Sequence, residues 1–261
     1  MKLAKAAWTG RSVPALSLTD IEALVSSEIP YIHIPRFLSL DWCAEISRRF
    51  LSRRLQKYVI GIMKVRMLGL TLPSAPPDRK SYFDRVPEMD AVLRGIYSGG
   101  EDPLSKVHRE MTAGTGWKRF DAREKGRPFA PDMIGALYPG ARVPIHCDTP
   151  LHQPDAFDSR LPCQLSWNVY VSASRQGGRL KLYRKLFAPE DRVFHDEIKG
   201  FSPAVVAGAD SAEFAPSPGD FLMFNSAHFH EVRMVKGAVP RINAHSWMRV
   251  NPSRKKFGIW T

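Results

Sequence analysis

The stretch Ala136-Leu137-Tyr138-Pro139-Gly140-Ala141-Arg142-Val143-Pro144-Ile145-His146-Cys147-Asp148 decides the fold. It holds a short apolar run, a Pro-Gly turn, a second short run, and then a histidine and a carboxylate two residues apart. The turn chemistry predicts strands over 133–138 and 142–146. Side chains alternate across a pleated strand, so His146 and Asp148 point to one side and Cys147 to the other, where it is read as a packing residue. An imidazole and a carboxylate on one side supply two of the three ligands of a facial metal site. A second histidine from a distant strand would complete it and leave the opposite face open.

That histidine lies downstream. Pro218-Gly219-Asp220 is a tight turn feeding the apolar run Phe221 to Asn225, with His228 and His230 close behind. His230 is preferred, because it leads into Val232 and stands eleven positions before Arg241; His228 is left beside the site or at the turn. His146, Asp148 and His230 then form the 2-His-1-carboxylate pattern of non-haem Fe(II) oxygenases. Arg241 begins the last long strand. Its planar guanidinium can hold a carboxylate through two parallel hydrogen bonds, which points to 2-oxoglutarate as co-substrate with O2. His33, His108, His152 and His195 have no partner at ligand spacing.

Around these residues the second half reads as short strands separated by turns, with further strands over 164–171, 178–183, 220–225, 230–235 and 241–250. No helix interrupts them, so a parallel α/β sheet is disfavoured and a sandwich or double-sheet jelly roll expected. On 164–171, Ser166, Asn168 and Tyr170 share one face; a polar face toward the interior would bring Asn168 to 2-oxoglutarate. Asn243 and His245 alternate with Arg241, and either touch co-substrate or substrate or satisfy core groups. Tyr138 is a candidate contact of the same kind, with plain packing as its other reading. Phe224 and Trp247 are read as core. The irregular stretch 149–162 is a candidate cover over substrate.

The first half is different. Thr19 to Glu22 has capping-box spacing, Tyr31 to Ile34 alternates like a strand, and Ser39 precedes a helix with Trp42, Cys43, Ile46, Phe50 and Leu51 on one side. Helices are expected over 86–97 and 103–111. Residues 55–72 are apolar without a clean period, and 73–77 form a Pro-rich break.

The chain has 261 residues, 44% hydrophobic and 25% charged, ordinary for a globular protein. No apolar run is long enough to span a membrane and no signal-peptide stretch stands at the N-terminus, so a cytoplasmic location is expected. Three cysteines without a CxxC read as reduced thiols. The net charge of +12 is scattered in short groups without a nucleic-acid motif, so a basic surface is the main reading and an anionic small substrate or acidic carrier the second. Nothing in the sequence fixes the oligomeric state.

Residues 136–148, Gly177 to Tyr183, Phe214 through Arg241, and the ending Lys256-Phe257-Gly258-Ile259-Trp260 together resemble the Fe(II)/2-oxoglutarate-dependent oxygenase superfamily. The resemblance runs to the branch of the hapalindole and welwitindolinone halogenases and the N-acyl amino acid hydroxylases. It implies one oxygenase domain over 1–261: a mostly helical N-terminal region, residues 1–128, buttressing a double-stranded β-helix core, residues 129–261, mainly β with a cupin-like jelly roll. In the halogenases a small residue replaces the carboxylate and vacates an iron position for chloride. Asp148 keeps it here, which favours hydroxylation of an unactivated C–H in a small amino-acid-derived or natural-product molecule. Desaturation or cyclisation, hydroxylation of a protein or nucleic acid, and a cupin-like binding protein without turnover are the alternatives.

Overall fold

The computed structural model describes residues 7–60, 63–72, 79–148, 163–196 and 199–261. Its frame is two sheets facing each other. Among the described residues the large sheet has ten strands. Its path runs Arg11–Ser12, Tyr31–Ile34, Phe221–Asn225, Cys163–Ser172, Arg241–Asn251, Met133–Leu137, Met63–Gly69, Gln56–Ile60. Lys256–Trp260 pairs with the second half of Arg241–Asn251 and carries Lys118–Asp121 on its far side. The small sheet has the order Ser211–Phe214, Leu180–Leu186, His228–Val232, Val143–His146. This is the jelly-roll class expected from the turn-punctuated second half, and the Pro139-Gly140 turn links a strand of each sheet.

Period-2 alternation sorts the side chains. On Cys163–Ser172, Leu165, Trp167, Val169 and Val171 enter the main core under the helices. Ser166, Asn168 and Tyr170 line the cavity between the sheets. Leu180, Leu182, Phe224 and Val232 close the apolar layer between the sheets. A separate cluster on the outer side of the small sheet buries Ile145, Cys147 and Phe229. Cys147 therefore does face away from its two neighbours. Burial pushes its thiol up to about 12, and all three cysteines are unpaired and buried.

The helices cover the other side of the large sheet. Leu40–Leu51 is capped by Ser39, whose hydroxyl accepts from the Trp42 N–H. Leu18–Val25 is capped by Ser17, which accepts from the Asp20 N–H; the cap pair is Ser17 with Asp20 rather than Thr19 with Glu22. Pro103–Thr115 starts on Asp102 and stops at Gly116, whose left-handed φ of 69° ends it. Arg79–Tyr97 begins before the expected 86–97, with Pro87 inside it. Tyr82, Phe83 and Val86 bury in a second apolar cluster and offset the backbone hydrogen bond that Pro87 cannot donate.

The N-terminal region, residues 1–128, is less purely helical than expected. It extends the large sheet at both edges, through Tyr31–Ile34 beside Phe221–Asn225 and through the hairpin Gln56–Ile60/Met63–Gly69 beside Met133–Leu137. That hairpin accounts for the aperiodic stretch: neighbouring Met67 and Leu68 both bury, in different clusters, while Arg66 is exposed, so burial does not keep a clean two-residue period. Where it joins, Gly69 (φ 132°) passes so close that a Cβ would lie 2.2 Å from the Met133 Cβ. Among the described residues no helix is long and apolar enough to cross a membrane.

Candidate metal centre

Antiparallel pairing of Val143–His146 with His228–Val232 sets His230 opposite His146. Their rings lie 4.1 Å apart between centroids at 51°. Asp148 follows the strand end and is pinned through its backbone. Its N–H donates to the Ser226 carbonyl at 2.8 Å, and its own carbonyl accepts from Ser226 Oγ at 3.1 Å. One ligand atom from each of His146, Asp148 and His230 lies within 4.8 Å of the others.

The hydrogen bonds fix which ring nitrogen is free. His146 Nδ1 donates to the Pro144 carbonyl at 2.8 Å, and His230 Nδ1 donates to the His228 carbonyl at 2.8 Å. A carbonyl can only accept, so Nδ1 carries the proton and Nε2 is bare, the outer-shell arrangement of metal-binding histidines. Burial, reinforced by the nearby His230, pushes His146 down to about 4, which keeps it neutral. Burial alone would raise the Asp148 carboxyl; contacts with His230, His146 and Trp247 outweigh it and hold the group well below the usual carboxylate range. His230 Nε2 and Asp148 Oδ2 face each other at 3.6 Å. Two acceptors in that position call for a cation between them. The donor set, two neutral imidazoles and one carboxylate on a common side, fits Fe(II) with open positions.

His228 is not brought to this point. The pairing register shifts between Leu182 and Leu186, opposite the start of the His228–Val232 strand. His228 Nε2 instead meets Ser27 Oγ at 2.9 Å, and its ring leans on Trp8 at 5.2 Å.

The triad opens into a cavity of about 360 Å³ between the sheets. Deeper in, Arg241 is 5% exposed. Its Nη1 donates to Asn243 Oδ1 at 3.0 Å and its Nη2 to the Tyr170 hydroxyl at 3.1 Å. Its Nε is buried with no hydrogen-bond partner, and among the described residues no carboxylate pairs with it. Asn243 Nδ2 donates in turn to Asn168 Oδ1 at 2.8 Å. A buried cation held by neutral groups is costly without an anion. A dicarboxylate reaching from the triad toward Arg241 would supply one, so these residues fit 2-oxoglutarate.

Tyr138 is a correction. Met133, Gly135 and Leu137 face the cavity, while Tyr138 lies outside its lining. Alternation turns it onto the main core, with the Arg66 guanidinium over its ring at 5.2 Å.

Two aromatics read as core also reach the site. Phe224 stands edge-on to His230, 5.0 Å between centroids. Trp247 donates from Nε1 to Asp148 Oδ2 at 3.0 Å. Spacing offered one signal for Trp247: it continues the alternation of Arg241, Asn243 and His245. His195, set aside in the sequence, lines the cavity as an exposed residue. The stretch 149–162, His152 included, lies outside the described residues.

A double-stranded β-helix presenting this triad opposite a buried arginine has the architecture of the Fe(II)/2-oxoglutarate oxygenases. A solved structure with the same fold is an N-substituted L-amino acid dioxygenase from Burkholderia ambifaria in complex with α-ketoglutarate. It is 14% identical, covers 92% of this chain and 90% of its own, and gives a TM-score of 0.60. The chain belongs to the family described as carrier-protein-independent halogenase WelO5, which matches residues 16–261. Among curated proteins it is similar to an L-γ-glutamyl-L-propargylglycine hydroxylase of Streptantibioticus cattleyicolor, 28% identical over 131 residues. That match spans 50% of this chain and 48% of the relative, about half its length. It is also similar to the leucinostatins biosynthesis cluster protein S of Purpureocillium lilacinum, 28% identical over 177 residues, 65% of this chain and 72% of the relative.

Proposed function

We propose that this chain is an Fe(II)- and 2-oxoglutarate-dependent dioxygenase that hydroxylates an unactivated C–H of a small amino-acid-derived or natural-product molecule, with succinate and CO2 as co-products. The carrying observation is Asp148, which stands with its carboxylate in the ligand set of a chain whose family is described by a halogenase. A carboxylate occupying that position leaves no room for a halide, so oxygen transfer is favoured over chlorination. A relative named as a hydroxylase of an amino acid derivative supports the substrate class.

His146, Asp148 and His230 would hold the iron, which with 2-oxoglutarate and O2 supplies an oxidant strong enough to cleave a C–H bond. Arg241 would bind the far carboxylate of 2-oxoglutarate, with Asn243 and Tyr170 keeping the guanidinium in its pose and Asn168 bracing Asn243. Val65, Met67, Met133 and Leu137 give the cavity an apolar wall that disfavours water inside it. Cytoplasmic residence fits the three unpaired thiols, and the scattered positive charge fits an anionic small substrate without requiring a nucleic acid.

The test is turnover. Purified protein with Fe(II), 2-oxoglutarate, chloride and air is offered N-acyl amino acids and γ-glutamyl dipeptides, with succinate and product masses read together. Succinate in step with a product one oxygen heavier supports the reading. A chlorinated product overturns it, and a product two hydrogens lighter moves it to desaturation or cyclisation.

A further inference from the structure

The three ligand side chains each need something behind them to fix their direction. The backbone does this for both histidines. A carboxylate has no such proton to anchor it, and its terminal torsion is broad, so left alone it can turn and offer one oxygen or two. Asp148 has one side-chain donor to its carboxylate among the described residues, Trp247 Nε1 at 3.0 Å from Oδ2.

Trp247 is itself hard to move. Its backbone lies in the interior of the large sheet, in register with Ser166 on one side and Trp260 on the other. Its indole meets His245 edge-on, 5.1 Å between centroids at 82°, and packs in a tilted contact on Trp260 at 5.1 Å and 34°. Trp260 and Trp247 belong to the cluster that the Arg79–Tyr97 helix fills with Tyr82, Phe83 and Val86. The N–H aimed at Asp148 is thus set by packing that the first half of the chain supplies.

We propose that Trp247 is a positioning residue for the metal centre: its indole N–H holds Asp148 Oδ2, the same oxygen that faces His230 Nε2, and so fixes the turn of the carboxylate toward the two histidines. This rests on the reading of His146, Asp148 and His230 as ligands. It also gives the N-terminal half a role in the site, as the support of the residue that aims the carboxylate.

Trp247→Phe keeps an aromatic ring in the stack and deletes the donor. The probe is Co(II), titrated into the apo full-length chain and followed by its visible d–d absorption, with the apo unfolding midpoint measured alongside. Loss of an outer partner weakens metal binding about 10- to 100-fold, and the band shape changes as the carboxylate is freed. In an Asp148→Ala background the same change has no further effect on Co(II) affinity. Affinity within about twofold of wild type, or an equal loss in the Asp148→Ala background, overturns the proposal. A second readout leaves Trp247 intact: the ¹⁵N-labelled indole N–H resonance of Trp247 moves upfield in Asp148→Ala, and an unmoved resonance overturns the proposal as well. Failure of the wild-type chain to bind Co(II) would instead strike the metal site itself.

Discussion

Arg241→Met separates a cation that serves a ligand from one that serves the fold. The arginine is the first residue of Arg241–Asn251, opposite Leu137, and is 5% exposed with neutral side chains as its hydrogen-bond partners. Methionine keeps most of the unbranched apolar stem and removes the fork. A charge-assisted bidentate contact is worth roughly 1.5–3 kcal/mol. At about 1.4 kcal/mol per tenfold, 2-oxoglutarate binding weakens roughly 10- to 150-fold. The apo protein loses less than this, because removing a buried charge that lacks a carboxylate partner relieves desolvation as it deletes two hydrogen bonds. Arg241→Lys recovers only a fraction of the affinity, since an ammonium cannot make the parallel pair. The assay is an anaerobic titration of the Fe(II)-loaded chain with 2-oxoglutarate, followed by visible absorption, with iron affinity and the apo unfolding midpoint as controls. A dissociation constant within about twofold of wild type in a folded Arg241→Met chain would refute the anchor.

Three further outcomes are expected. Asp148→Gly loses hydroxylation and tight metal binding; wild-type hydroxylation rates in that variant would mean that another donor completes the set. His230→Ala abolishes stoichiometric metal binding whereas His228→Ala retains it, and the reverse pattern would exchange the two histidines. His108 is pushed down to about 4 by burial and by Arg119, from an ordinary value of 6.5. It stays neutral in the native state while the unfolded chain takes up its proton, so this contribution is intact above pH 6.5 and is lost as pH falls toward 4. The urea-unfolding free energy of wild type relative to His108→Phe therefore falls across that window; a pH-independent difference would contradict it.

The fold was legible where one face of a strand is polar. On Cys163–Ser172 the alternation of Ser166, Asn168 and Tyr170 with Leu165, Trp167 and Val169 fixes the inward face directly. It was illegible in 55–72, where neighbouring Met67 and Leu68 both bury in different clusters and blur the period, and at Arg79–Tyr97, where Pro87 reads like a helix start although the helix already has two turns before it. The His146, Asp148 and His230 constellation was legible because strand pairing preserves face. What escaped depends on contacts that no local pattern encodes. Trp247 reads as bulk in sequence, and its N–H finds Asp148 across 99 positions. Tyr138 looked inward beside the Pro-Gly turn, but Leu137 takes the inward place opposite Arg241. His228 and His230 share a face by alternation; the distance to Arg241 favoured His230, and the contacts of His228 with Ser27 and Trp8 beside the register shift near Leu186 place it away from the site.

The most direct test of the account is anaerobic spectroscopy of the metal centre. Fe(II) added to the apo chain binds one equivalent, and 2-oxoglutarate then raises a weak visible charge-transfer band. The same additions to His146→Ala and to His230→Ala raise none. A band of wild-type intensity in either variant, or no band in the wild-type chain at saturating Fe(II) and 2-oxoglutarate, would contradict the assignment of these residues as the iron centre.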